Sequence, residues 1–88
     1  MTMINWDEPT LGKFRLILAK MPAVLRGIAE QKVSQRAQDL VREADRAQIT
    51  EKDLVDALFA ETPFGFQGLL KNDLGELGID YTQYGYPK

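Results

Sequence analysis

The residues best suited to acid–base chemistry are carboxylates in the segment EKDLVDALFAE, which begins at Glu51. Glu51, Asp53 and Asp56 fall within six positions, so a helix would bring pairs of them close together. Two neighbouring carboxylates act as acid and base only when burial separates their pKa values. Here they lie on the polar side of an amphipathic pattern, where water keeps them ionised. We therefore predict a structural role for them.

Cysteine and histidine are both absent from the 88 residues. Without these side chains, the chain itself can supply no disulfide, thiolate nucleophile, imidazole base, structural zinc site or iron–sulfur ligand. The stretch FGFQG, at 64–68, has glycines like a phosphate loop, but it lacks the full spacing and the Lys-Ser/Thr pair of that motif. We predict no catalytic residue, no metal and no cofactor, and hence a protein that is not an enzyme.

A second set of side chains could contact phosphates. Basic residues recur along the first half of the chain, at Lys13, Lys20, Arg26, Lys32, Arg36, Arg42 and Arg46. Residues 1–48 carry eight Lys or Arg against six Asp or Glu, whereas residues 49–88 carry three against seven. The spacings of Asp39 with Arg42 and of Glu43 with Arg46 suit ion pairs within a helix. Since the net charge is −2, we do not expect a nucleic-acid partner.

Aromatic residues concentrate near the two ends of the chain, at Trp6, Phe64, Phe66, Tyr81, Tyr84 and Tyr86. The first three could close the ends of a small core or contact a partner. Three tyrosines within six residues are typical of a docking segment, because tyrosine offers a large contact area at little entropic cost. The alternative is a tail that folds back on its own bundle. With Arg26, these aromatic residues are the candidate partner-binding residues.

The spacing of apolar residues predicts the helices that position these side chains. Asp7 as N-cap and Pro9 in the first turn begin a helix at about 8–20. Pro22 then forms a corner before a second helix at about 22–46. That helix carries an apolar stripe expected to face the core, namely Leu25, Ala29, Val33, Ala37, Leu40 and Ala44, flanked by Ile28 and Val41. Thr50 and Asp53 form a capping box that begins a third helix at about 51–61.

The last third of the chain is rich in glycine, and its leucines predict only a short fourth helix near 64–76, followed by irregular chain. We therefore predict an all-α bundle in which residues 1–78 form a single helical domain and residues 79–88 a tyrosine-rich tail. Arg26, in the first turn of the second helix, is poorly placed for that helix's dipole. We expect it to pair with a carboxylate, for example from the third helix.

Charged residues interrupt every apolar stretch well short of the ~20 residues that a membrane helix needs. The opening MTMINWDEPT also lacks the basic and then apolar pattern of a signal peptide. The absence of cysteine is compatible with a reducing compartment. We therefore expect no membrane span and a cytoplasmic protein.

A pattern of residue types extends from the N-terminal aromatic residue to the third helix. It consists of Trp6, Pro22, Leu25-Arg26, Ala29, Val33, Ala37, Ile49-Thr50, Leu54 and Ala57. This pattern resembles the small helical domain at the C-terminus of the B subunit of light-independent protochlorophyllide reductase, which also occurs in short stand-alone proteins. Two features depart from it: the segment between Ala37 and Ile49 is longer by about one helical turn, and the tail after Ala60 has no counterpart.

The resemblance implies an accessory or interaction module, because the nitrogenase-like catalytic body of the reductase has no counterpart in this chain. We expect a protein partner and a place as a small component of a larger redox or tetrapyrrole-related complex. The alternative is a histone-like nucleic-acid-binding protein. A long central helix followed by ADRAQITEKDLVDAL resembles the end of a histone fold, where a short β-type loop precedes a capped last helix.

Overall fold

Asp7 begins the first helix, α1 (Glu8–Ala19), in the computed structural model, which describes residues 3–88. Its carboxylate accepts hydrogen bonds from the backbone N–H and the hydroxyl of Thr10, at 3.2 and 2.6 Å. Pro9 occupies the first turn, where its missing N–H leaves no hydrogen bond unmade. The helix thus begins at the predicted residue and ends one residue before the predicted end.

Pro22 forms the corner between α1 and α2 (Ala23–Glu43), as predicted. The second helix ends three residues before the predicted boundary of 46, because Asp45 adopts the left-handed conformation with φ of 56°. The N–H of Arg46 then donates to the carbonyl of Val41, and the N–H of Asp45 to that of Arg42, at 2.9 and 3.0 Å. These two bonds form a Schellman motif, which satisfies carbonyls at the helix end.

Two strands of two residues each, β1 (Asn5–Trp6) and β2 (Gln48–Ile49), pair in parallel, with Trp6 opposite Ile49. The N–H of Asn5 donates to the carbonyl of Ala47, and the N–H of Asp7 to that of Ile49, both at 2.9 Å. We did not predict these strands, because two residues are too few to show an alternating pattern. They hold the segment before α1 against the loop before the third helix.

The third helix, α3 (Glu51–Glu61), has the predicted bounds and contributes most to the core. It packs against α1, α2 and α4, and six of its residues are buried: Asp53, Leu54, Val55, Ala57, Leu58 and Phe59. The other helices supply Phe14, Ile17, Val33, Ala37, Val41, Leu70 and Leu74 to the same core. The protein is therefore a small helical bundle, and the predicted all-α class is confirmed.

The last third of the chain is more ordered than predicted. A 3₁₀ turn (Phe64–Phe66) leads into α4 (Gln67–Glu76), which corresponds to the short fourth helix expected near 64–76. Gly78, with φ of 74°, ends α4 in a second Schellman motif. A second 3₁₀ turn (Tyr81–Tyr84) lies within the segment predicted to be irregular.

Residues 79–88 contact α3, so the observed arrangement is the folded-back alternative for the tail. Ile79 is buried in the common core. The predicted domain of residues 1–78 begins with Met1 and Thr2, which lie outside the described residues. Within residues 3–88, no helix combines the length and the apolar character needed to cross a lipid bilayer.

Candidate functional site

Asp53, which we expected to be hydrated, is buried and 4% exposed. Its carboxylate accepts bonds of 2.6 and 3.0 Å from the guanidinium of Arg46 and one of 2.9 Å from the N–H of Thr50. Burial acts to raise the pKa of Asp53, but the bonds from Arg46 and Thr50 outweigh it and leave this pKa below its usual value. The confirmed capping box therefore includes an ion pair in which the carboxylate is buried and the guanidinium of Arg46 is partly exposed. Of the two ion pairs predicted within α2, Asp39 with Arg42 forms at 3.0 Å, whereas Arg46 bonds Asp53 instead of Glu43.

The other two candidate carboxylates, Glu51 and Asp56, anchor two of the C-terminal tyrosines. Glu51 forms an ion pair with Lys13 and accepts a hydrogen bond from the hydroxyl of Tyr84 at 3.1 Å. Asp56 pairs with Lys52 at 2.7 Å and accepts a bond from the hydroxyl of Tyr86 at 2.6 Å. Burial, with the bond to Asp56, raises the pKa of Tyr86 to about 12. Each carboxylate thus has a structural partner, as predicted for this group.

Two of the three candidate tyrosines in the tail pack against Phe59 of α3, Tyr86 in a stacked arrangement and Tyr81 in a tilted one. The ring of Tyr86 lies parallel to that of Phe59, with ring centres 4.0 Å apart, and the ring of Tyr81 lies 5.9 Å from Phe59. All three tyrosines are partly buried against the core. Their observed contacts are therefore intramolecular.

Trp6 and Arg26 also have partners within the chain. The indole of Trp6 stacks on Phe14, with ring centres 5.1 Å apart. The carboxylate partner expected for Arg26 was wrong, because its Nε donates to the carbonyl of Leu18 and its Nη2 to that of Met21, at 2.9 and 3.0 Å. Carbonyls at the end of α1 have no partner in their own helix and carry a negative partial charge. Arg26 thus stabilises the corner at Pro22.

The basic residues of the first half mostly pair with carboxylates. Five of the seven candidate phosphate contacts form ion pairs, namely Lys13, Lys20, Arg36, Arg42 and Arg46. Arg26 bonds to carbonyls instead. Among these seven residues, only Lys32 forms neither an ion pair nor a side-chain hydrogen bond with any residue between 3 and 88. The basic face is therefore largely neutralised by its own acidic neighbours.

The candidate residues Phe64 and Phe66 do not close the core, since 90% and 59% of their surface is exposed. The apolar stripe of α2 also departs from the prediction. It is buried at Val33, Ala37 and Val41, whereas Leu25 and Ile28 are 52% and 55% exposed. Apolar side chains from two separate parts of the chain thus remain accessible to water.

One concave pocket, with a volume of about 570 Å³, is lined by Leu25, Ile28, Phe66 and other apolar residues, and we call it the apolar groove. The apolar groove lies between the first turns of α2 and the 3₁₀ turn with α4, and it is lined by Ile17, Lys20, Met21, Pro22, Leu25, Ile28, Ala29, Lys32, Val33, Leu58, Glu61, Thr62, Pro63, Phe66, Leu69, Leu70 and Asp73. Ile17, Val33, Leu58 and Leu70 are buried, and they form its floor. The volume is within the range of small-molecule sites.

Charged side chains form the rim of the apolar groove. Lys20, at the end of α1, pairs with Glu76 of α4, and a hydrogen bond from this lysine lowers the pKa of Glu76. Glu61 pairs with Arg36 at 2.9 Å. Lys32 on the α2 side and Asp73 on the α4 side form no ion pair with any residue between 3 and 88. The two walls therefore carry opposite charges outside these ion pairs, although Asp73 lies close enough to Lys20 to help raise the pKa of that lysine.

We did not predict Leu25, Ile28 and Leu69 as candidate site residues. The predicted helix lengths nevertheless indicated that part of the second helix, which carries Leu25 and Ile28, would stay exposed. An α-helix rises about 1.5 Å per residue, so α2 is roughly twice as long as α3. A stripe that is apolar along the whole of α2 cannot be covered by a partner half its length. The uncovered part must lie at one end of α2.

Residues 3–88 contain no cluster of three or more acidic side chains arranged to hold a metal ion. No protein-family model, no curated protein and no solved structure matches this chain.

Proposed function

We propose that this chain is a non-enzymatic protein-interaction module that docks through the apolar groove. The apolar groove itself is the observation that carries the proposal. Contiguous exposed apolar surface with a polar rim is typical of protein-binding sites, because burying it gains roughly 25 cal/mol per Å² of apolar surface. The three candidate acid–base carboxylates, Glu51, Asp53 and Asp56, are all held in structural bonds, which favours binding over chemistry.

The resemblance to the protochlorophyllide reductase domain supports an accessory role within a larger assembly. Four of the residues that carry the resemblance, Pro22, Leu25, Ala29 and Val33, line the apolar groove. We therefore propose that this module needs its groove in order to join a redox or tetrapyrrole-related complex.

The neutralised basic face argues against the alternative of a histone-like nucleic-acid binder. Nucleic-acid affinity comes largely from cationic side chains that displace counterions from phosphates. Ion pairs within the chain compete with phosphate for five of the seven candidate residues. We therefore prefer a protein partner.

Affinity capture from a lysate of native cells tests the proposal with two matched variants. Ile28→Glu places a charge in the apolar groove, whereas Leu16→Glu places the same charge on α1 outside the residues that line the groove. Leu16 and Ile28 are both 55% exposed in the folded chain, so neither substitution buries a charge. We expect the wild type and Leu16→Glu to retain the same subunits of a redox or tetrapyrrole complex, and Ile28→Glu to lose them.

Identical partner lists for the wild type and Ile28→Glu would contradict docking through the apolar groove. Partners that depend on the groove but belong to neither class of complex would contradict the assignment to such a complex. Circular dichroism of both variants controls for folding.

A further inference from the structure

The unpaired charges at the apolar groove have an arrangement that fits a particular partner. Lys32 projects from α2 on one wall and Asp73 from α4 on the other. A partner that crosses the groove must present an acidic group to the first wall and a basic group to the second. A second copy of this chain presents both, because its own walls carry the same two residues.

Two-fold symmetry would satisfy both charges at once. In an isologous dimer, residue i of one copy contacts residue j of the other, and j contacts i. Lys32 of each copy would then face Asp73 of its neighbour, which gives two equivalent ion pairs. A like-charged groove would instead repel its own copy.

The exposed apolar residues are consistent with the same arrangement. Phe64 is 90% exposed and belongs to the 3₁₀ turn at one end of the apolar groove, yet it does not line the groove of its own chain. Five of the eight large apolar side chains exposed within residues 3–88 lie in this groove or in that turn: Leu25, Ile28, Phe64, Phe66 and Leu69. A projecting aromatic ring beside a recess can enter the recess of a second copy.

The surface required is modest for a chain of this size. A standard specific interface buries about 800 Å² on each partner, and the accessible surface of the chain is 5748 Å². A dimer would therefore cover about one-seventh of it.

We propose that the occupant of the apolar groove is a second copy of this chain, in a two-fold dimer with reciprocal Lys32–Asp73 pairs. This inference rests on the proposed function, because it takes the apolar groove to be a docking surface. The dimer is then the form in which the chain enters a larger assembly.

Sedimentation equilibrium of the full chain, from micromolar to millimolar concentrations, tests the dimer through a charge exchange. Lys32→Glu alone and Asp73→Lys alone should each weaken dimerisation roughly tenfold, because each replaces two attractions by two repulsions. An equimolar mixture of these two variants restores an attraction at both pairs of the heterodimer. We expect the mixture to dimerise about as strongly as the wild type. Ile28→Glu should abolish the dimer, and Leu16→Glu should leave it unchanged.

Three results would overturn the inference: a wild type that is monomeric at all concentrations, a dimer that tolerates Ile28→Glu, or a mixture no tighter than either variant alone. The outcomes also separate this inference from the proposed function. A monomer that captures a larger complex through the groove would contradict the dimer but support the proposed interaction module. A dimer that shows the charge exchange but captures no complex keeps the dimer and removes the accessory role.

Discussion

At the scale of single residues, Asp53 is the acceptor of four hydrogen bonds. Its carboxylate accepts hydrogen bonds from the guanidinium of Arg46 and from the N–H and hydroxyl of Thr50. The capping box was predictable, since Thr50 and Asp53 are three positions apart. The burial of Asp53 was not, because it depends on Arg46, whose position follows from the left-handed turn at Asp45. This turn is formed at an aspartate instead of a glycine, so the local sequence does not indicate it.

We predict that Asp53→Asn lowers the free energy of unfolding by about 2 kcal/mol at neutral pH, because the cap weakens and the donors of Arg46 and Thr50 lose a charged acceptor. The folded pKa of Asp53 is below its ordinary value of 3.8. Its contribution is therefore complete above that value and is lost as the pH falls through the folded pKa. Urea unfolding at several pH values measures this. Equal stability at neutral pH, or parallel acid dependence of the two proteins, would contradict the role of this carboxylate.

At the scale of elements, the end of α2 gives a sharp test. Asp45 has φ of 56°, a conformation that glycine adopts without the steric cost of a Cβ. We expect Asp45→Gly to raise the free energy of unfolding by about 0.5 kcal/mol. Glu43→Gly, at the last residue of the same helix, should instead lower it by about 0.5 kcal/mol. Thermal and urea unfolding compare the two variants, and a loss of stability in Asp45→Gly would refute the left-handed cap.

The C-terminal segment is stabilised through Tyr86, whose ring stacks on Phe59 and whose hydroxyl bonds Asp56. Tyr86→Phe keeps the ring and removes the bond, so we expect a loss of about 1 kcal/mol at neutral pH. The folded pKa of about 12 exceeds the ordinary value of 10.0. The contribution of the hydroxyl is therefore complete below pH 10.0 and is lost as the pH rises towards the folded value.

Urea unfolding of wild type and Tyr86→Phe across this alkaline range should show the two stabilities converge as the pH rises. A difference that is absent at neutral pH, or one that grows with alkali, would mean that the tail does not depend on this bond.

The helices were predictable because their signals are local: a cap at Asp7, a corner at Pro22 and a capping box at Thr50. The tail was not, because four of its aromatic and acidic contacts join residues that are 22 to 33 positions apart in the sequence. The sequence around Phe59 and Asp56 does not indicate that a tyrosine of the tail contacts them. Such contacts are set by the topology of the bundle rather than by a local pattern.

At the scale of the whole molecule, the apolar groove follows from a mismatch of helix lengths. The radius of gyration of 12.5 Å is close to the roughly 12 Å expected for a folded domain of this length. A chain this short has few elements with which to cover its apolar surface. The 11-residue α3 is about half as long as the 21-residue α2. The buried residues of α2 (Val33, Ala37 and Val41) lie in its middle and C-terminal half, and its first turns are left as one wall of the groove.

The central claim is that a protein occupies the apolar groove, and site-specific photo-cross-linking tests it most directly. A photoreactive phenylalanine analogue replaces Leu25, on the wall of the groove, or Leu16, a control of similar exposure on α1. We predict protein cross-links on irradiation of native cells from position 25, either to a second copy or to a larger subunit, and none from position 16. No cross-link from position 25, or equal yields from both positions, would contradict the account.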